Sequence, residues 1–278
     1  ATGASCPSGY SATSSGVDPN DENNAIYQYL TCYNDADNDG YAGGSGTNPG
    51  TGNLAGHWKF DKGAAGSCAS GHTENDDGTC TTTFYPDAHT EIYSFDAYIQ
   101  NKGPGTWADL IDGGNSYEFA DSEESAGIVL MSSHLDNKWH TDQRTILLFY
   151  TESLPDNAII TSADLGFTAV NLVQALPNQN LRLVTTNPAS NTGVVGADFT
   201  TFGTAAQAAD ILLSTVNSAS DGSAGYNNFN LNPAGISSIS LDSTPTKFGI
   251  RMASTADNAE PTWSPGDQSA RVTIAGAE

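Results

Sequence analysis

Basic residues are scarce in this chain of 278 residues: nine Lys and Arg stand against 32 Asp and Glu, a formal charge of −23. That shortage excludes nucleic acid and anionic membrane surfaces as partners, because phosphate binding needs clustered Lys and Arg. Long apolar runs are also missing, and none approaches the roughly 18–20 residues of a membrane-spanning helix. No GxSxG, HExxH, Walker or GxGxxG pattern occurs, so serine-hydrolase, zincin and nucleotide-binding chemistry have no template, and the expected role is non-catalytic. The five His residues (His57, His72, His89, His134, His140) show no ligand spacing. The sequence starts at Ala1 without an initiator Met, a basic n-region or an apolar h-region. This reads as a secreted product whose signal peptide has been removed.

Cysteine is sparing but placed: Cys6, Cys32, Cys68 and Cys80 all fall within the first 80 residues. An even count confined to one region of a secreted chain reads as two disulfides. Of the three possible pairings, Cys6–Cys32 with Cys68–Cys80 is favoured, since each closes a short loop. A four-thiolate zinc site lacks the C-x2-C pair it would need.

Composition divides the chain near residue 85. Residues 1–85 are dominated by Gly, Ser, Thr, Asn and Asp, and read as a loop-rich, disulfide-stapled, calcium-binding region. Residues 86–278 carry recurrent strand patterns. Across Glu91–Gln100, Tyr93, Phe95, Ala97 and Ile99 alternate with polar residues, and across Ile159–Val170 one face holds Ile159, Thr161, Ala163, Leu165, Phe167 and Ala169. Shorter strands are expected at Gly127–Met131, Arg144–Tyr150, Leu181–Thr186, Ile211–Val216, Tyr226–Leu231, Lys247–Ala253 and Arg271–Ala275. Helix signals are few. The best is Asn232-Pro233, an N-cap followed by Pro at the first helical position. Many strands without crossover helices imply an all-β fold, an antiparallel two-sheet jelly-roll sandwich.

Asn34-Asp35-Ala36-Asp37-Asn38-Asp39-Gly40-Tyr41 carries the most chemistry. Asp35, Asp37 and Asp39 alternate ahead of a Gly that permits a sharp turn, and Tyr41 can add its carbonyl, a pattern that wraps Ca2+ in oxygen ligands. The EF-hand template fails at its last ligand, where Gly46 replaces the bidentate Glu. The run instead resembles the D-x-D-x-D-G calcium loops of extracellular proteins such as thrombospondin type 3 repeats. A second candidate is Asp76 and Asp77 in Glu74-Asn75-Asp76-Asp77-Gly78, where a plain Asp-Gly turn competes with calcium. Asp96, on an otherwise apolar strand, is either a further cation ligand or the polar face of an edge strand. Trp107 and Trp263, in Gly- or Pro-containing loops, are the candidates for stacking on a sugar, against the alternative that they are core.

Several stretches resemble secreted DNRLRE-type jelly-roll domains, relatives of carbohydrate-binding modules. They are Tyr93-Ser94-Phe95-Asp96-Ala97-Tyr98-Ile99, Gly105-Thr106-Trp107-Ala108-Asp109-Leu110, Gln143–Phe149 with Ser153–Ala163, Phe229–Ile236 and Thr246–Arg251. Tyr150 stands where the family has Asp, and the eponymous motif is reduced to Asn180-Leu181-Arg182-Leu183. The resemblance implies a jelly roll with a carbohydrate or cell-surface role and structural calcium. Taken together, the expected protein is an extracellular, calcium-binding, self-associating subunit of a filament, tube or surface layer. The alternative is a carbohydrate-binding or adhesive module that takes an extracellular polysaccharide.

Overall fold

The computed structural model describes residues 10–12, 32–34, 54–61, 68, 72–75, 78–86, 96–113, 116–120, 128–134, 138–156, 158–219, 226–262 and 268–275. By compactness the chain forms two units, Ala1–Pro49 and Gly50–Glu278. In the first, β1 (Tyr10–Ala12) pairs antiparallel with β2 (Cys32–Asn34), placing Tyr10 opposite Asn34 and Ala12 opposite Cys32.

Among its described residues the second unit is built mainly of strands. It opens with β3 (Leu54–Asp61), β4 (Thr73–Glu74) and β5 (Thr79–Phe84), followed by β6 (Asp96–Gly105), helix α1 (Trp107–Asp112), β7 (Ser116–Ala120) and β8 (Ile128–His134). The long strands β9 (Lys138–Phe149) and β10 (Ile160–Gln174) come next, then β11 (Asn180–Thr185), β12 (Ile211–Leu212) and β13 (Tyr226–Asn230). Helix α2 (Pro233–Ser237), β14 (Thr246–Met252), the single turn α3 (Ala253–Ala256) and β15 (Gln268–Ile274) complete it. All pairings between these strands are antiparallel, as expected for an all-β fold. Hydrogen bonding runs continuously through thirteen strands, so the ladders do not separate into two sheets.

Two long strands make that continuity. One edge of β9 pairs with β6 along its length; the other pairs with β8 near its start and with β14 near its end. The first half of β10 lies between β3 and β13, and its second half pairs with β15. The network turns back on itself, and Trp58 of β3 meets Phe149 of β9 edge-on at 5.5 Å between ring centres. Between these faces lies the main core, with Phe60, Leu147, Leu165, Phe167, Leu183, Phe229, Phe248, Ile250 and Val272. A smaller core covers the opposite face of β6, β9 and β11: Ala97, Ile99, Ile146, Leu148 and Val184 pack under Val194, Phe199 and Phe202. Strand β9 is therefore covered on both faces, and every residue from Thr141 to Phe149 is buried.

The alternation expected along β10 holds from Ala163 through Leu165, Phe167 and Ala169, all buried. It fails at the start, where Ile159 is 65% exposed and Thr161 faces solvent. A register shift against β3 between Ile160 and Ser162 inserts one residue, and Ile160 packs on the core instead. Residues 54–84, within the region expected to be loop-rich, supply three strands of the large sheet, β3, β4 and β5, stapled by the Cys68–Cys80 disulfide. Asn232 caps α2 as expected, its side chain accepting from the Gly235 amide at 3.0 Å with Pro233 in the first turn. The strand expected over Ile211–Val216 stops at Leu212, where a 3-10 turn (Leu213–Thr215) begins. The strand expected to reach Ala253 ends at Met252, where α3 starts.

The segment between β11 and β12 straps across the second core. It holds a 3-10 helix, Gly196–Thr201, fixed by Asp198, whose buried carboxylate accepts from the Ala189 and Val195 amides at 2.8 Å each. Phe202 lies directly on Gly249 of β14, where a Cβ would come within 2.5 Å of the ring.

Candidate functional site

The four arginines of the sequence are Arg144, Arg182, Arg251 and Arg271, and three of them lie side by side on the strapped face. Arg182 of β11 is the register partner of Arg251 of β14; Arg144 of β9 follows directly from the Thr145–Ile250 pair. Each is committed to the protein itself. The Arg144 guanidinium lies 3.7 Å above the centre of the Phe199 ring. It donates from Nε and Nη2 to Asp142 Oδ2 at 3.0 and 2.7 Å, from Nη1 to the Phe199 carbonyl at 2.7 Å and from Nη2 to the Ile111 carbonyl at 3.2 Å. Arg251 donates to Thr255 Oγ1, the Thr255 carbonyl and the Gly203 carbonyl. Burial, and then the neighbouring Arg144, pulls its pKa down to about 9.

Arg182 opens the row toward a polar cleft of about 410 Å³. Its walls come from Pro177–Asn180 before and at the start of β11, from Asp210, and from α3 with the following Asp257–Thr262 segment. All five N–H donors of Arg182 are used. Nε and Nη2 fork onto Asp210 at 2.9 and 2.7 Å, Nη1 and Nη2 onto Asp257, and Nη1 also reaches the Thr204 carbonyl. The Asp210 hydrogen bond is the main reason that the Arg182 pKa is raised. With its donors spent, Arg182 balances charge without contacting a ligand, and the cleft presents acceptors. The Asp257 side chain is 52% exposed, and Glu260, Gln179 and Ser254 add to the polar lining.

Two indoles hold the cleft wall. Trp107 Nε1 donates to Asn258 Oδ1 at 2.9 Å and Trp139 Nε1 to Glu260 Oε1 at 2.8 Å, while the rings meet edge-on at 5.1 Å. Asn258 takes a left-handed φ of 50° just beyond α3, a conformation Asn tolerates. Trp107 is 8% exposed and stands at the start of α1, not in a loop. Its ring is packed rather than offered to a sugar. The arrangement can accept hydrogen bonds from hydroxyl or ammonium groups.

The other sequence-predicted residues fall elsewhere. Asp35, Asp37, Asp39, Tyr41, Asp76, Asp77, Trp263 and Cys6 lie outside the described residues. On either side of Asp76 and Asp77, the Gly78 amide donates to the Asn75 carbonyl at 3.0 Å and Gly78 takes a φ of 83°. Asp96 is buried on β6, which lies between β7 and β9 and is not an edge strand. Among the described residues no group of three His, Cys, Asp or Glu side chains is placed to hold a metal ion. No helix among them is long and apolar enough to cross a membrane. Residue-level reading missed the cleft. Asn180 and Arg182 carry a signal through the reduced Asn-Leu-Arg-Leu motif, but Asp210, Asp257 and Glu260 are joined to them solely by tertiary structure. Comparison of the chain with known protein families, with curated proteins and with solved structures gives no match.

Proposed function

We propose that the chain is a non-catalytic, extracellular, calcium-binding structural protein, the self-assembling subunit of a filament, tube or surface layer. The observation that carries this reading is the distribution of charge. The chain has nine cationic side chains for 32 acids, and three of the nine are turned inward onto carbonyls and carboxylates as the arginine row. Few cations remain to offset the acids at the surface. Copies of such a chain repel one another unless counter-ions neutralise them.

The first compact unit supplies the binding loop in this reading. Its described structure is a ribbon of two three-residue strands, and an isolated two-stranded ribbon is marginal in water. Strand β2 ends at Asn34 and leads directly into Asp35, Asp37 and Asp39. An ion there would both fix the loop and cancel charge. The Cys68–Cys80 disulfide suits an oxidising, extracellular compartment. Negative-stain microscopy of the full chain tests the proposal: ordered polymers are expected with calcium and dispersed particles after chelation. A chain that stays monomeric at high concentration with calcium would sink it.

The polar cleft favours a second reading, a carbohydrate-binding module. Its exposed carboxylate and amides match sugar hydroxyls, and Arg182 holds Asp257 ready to accept them. Glycan-array binding that Asp257→Ala abolishes would support this reading over the first.

A further inference from the structure

Asn101 of β6 and Asp142 of β9 are register partners, so their side chains stand next to each other on one face, and both residues are 0% exposed. Asn101 Nδ2 donates to the Asp109 and Leu110 carbonyls at the end of α1, 2.7 Å each, which fixes the amide with its oxygen turned away from the helix. Asp142 places Oδ2 on Arg144. The remaining oxygens, Asn101 Oδ1 and Asp142 Oδ1, are both buried and accept no hydrogen bond from the described residues. Two adjacent acceptors cannot satisfy each other, and a carboxylate oxygen left bare in the interior is strongly disfavoured.

We propose that this pair is a binding site for one internal water molecule, donating one O–H to Asn101 Oδ1 and the other to Asp142 Oδ1. Charge decides for water over a metal ion or ammonium. Asp142 is already neutralised by Arg144, whose guanidinium shares the site, and Arg251 lies next in the row. A further cation would meet two arginines at short range. The α1 carbonyls facing the site are taken by Asn101 and Arg144, so they offer little coordination to an ion. Such a water joins β6, β9 and the C-terminal end of α1. Since α1 begins at Trp107, which holds Asn258, the same node positions one wall of the cleft.

A crystal structure of the full chain, with anomalous data after a rubidium or thallous soak, tests the site. The expected result is a single solvent peak within hydrogen-bond distance of both Oδ1 atoms and without anomalous signal. No peak, or an anomalous one, overturns the proposal. In solution, water-oxygen-17 relaxation dispersion should lose one long-lived water on Asn101→Leu. An unchanged count in a folded variant would also overturn it, and the crystal decides alone if that variant does not fold.

Discussion

Arg144 spends its donors on three segments at once: Asp142 on its own strand, the Ile111 carbonyl at the end of α1 and the Phe199 carbonyl of the strap. Removing it strands a buried carboxylate and two carbonyls together. Arg144→Ala is expected to cost about 3–5 kcal/mol, the range for breaking a buried pair from one side, read as a lowered urea midpoint. A second residue-scale test concerns acid. Thr244 first, then Ser240, hold the Asp242 carboxyl at about 2 through hydrogen bonds to its charged form. A carboxyl depressed on folding contributes stability above its unfolded pKa of about 3.9, and that contribution is lost as pH falls toward the folded value. Thr244→Val should therefore raise the Asp242 pKa toward the ordinary carboxylate range, followed by carboxyl carbon-13 shifts. An unmoved titration would mean that Thr244 is not the cause.

Helix α1 shows how elements escape a sequence reading. Its start is a capping box: Thr106 Oγ1 accepts from the Asp109 amide at 3.2 Å, and Asp109 Oδ2 accepts from the Thr106 amide at 2.9 Å. The Thr106 amide, and then the Thr106 hydroxyl donating to the same oxygen at 2.8 Å, lower the Asp109 pKa. The box uses Asp where Glu or Gln is usual, and six residues are too few for a 3.6-residue period to emerge, so Gly105-Thr106-Trp107 reads as loop. Thr106→Ala is expected to cost about 1 kcal/mol and to loosen the Trp107–Asn258 contact, visible as a change in tryptophan fluorescence. Unchanged stability and emission would deny the cap its role. By contrast β10, β11, β13, β14 and β15 are legible because alternation over several residues survives in each. Strand β3 is overlooked because Trp58 and Phe60 give too short a pattern inside a Gly-rich region. The slip at Ile159 comes from a bulge, which leaves no mark in the residue pattern.

At the scale of the whole molecule the dominant quantity is charge. The excess of acid is plain in the composition; that three of the four arginines face inward is not, because inward-facing and outward-facing arginines look alike in a sequence. The cleft was equally hidden, assembled from residues 176–180, 210 and 253–262. The Asp35–Asp39 run stands out in the sequence because its three Asp fall at alternate positions just ahead of Gly40. A ligand bound by the folded state alone stabilises by RT ln(1 + [L]/Kd), about 2.7 kcal/mol at a hundredfold excess over Kd. Calcium should accordingly raise the melting temperature of the full chain, and Asp35→Asn, Asp37→Asn and Asp39→Asn together should remove that increment. An increment kept by the triple variant would place the ion elsewhere.

Sedimentation velocity of the full chain, with calcium raised at constant ionic strength, tests the proposed calcium-driven self-association. A monomer without calcium is expected to convert to large assemblies as calcium is added, and the triple Asp variant is expected to stay monomeric. A single monomeric boundary at every calcium concentration would contradict it.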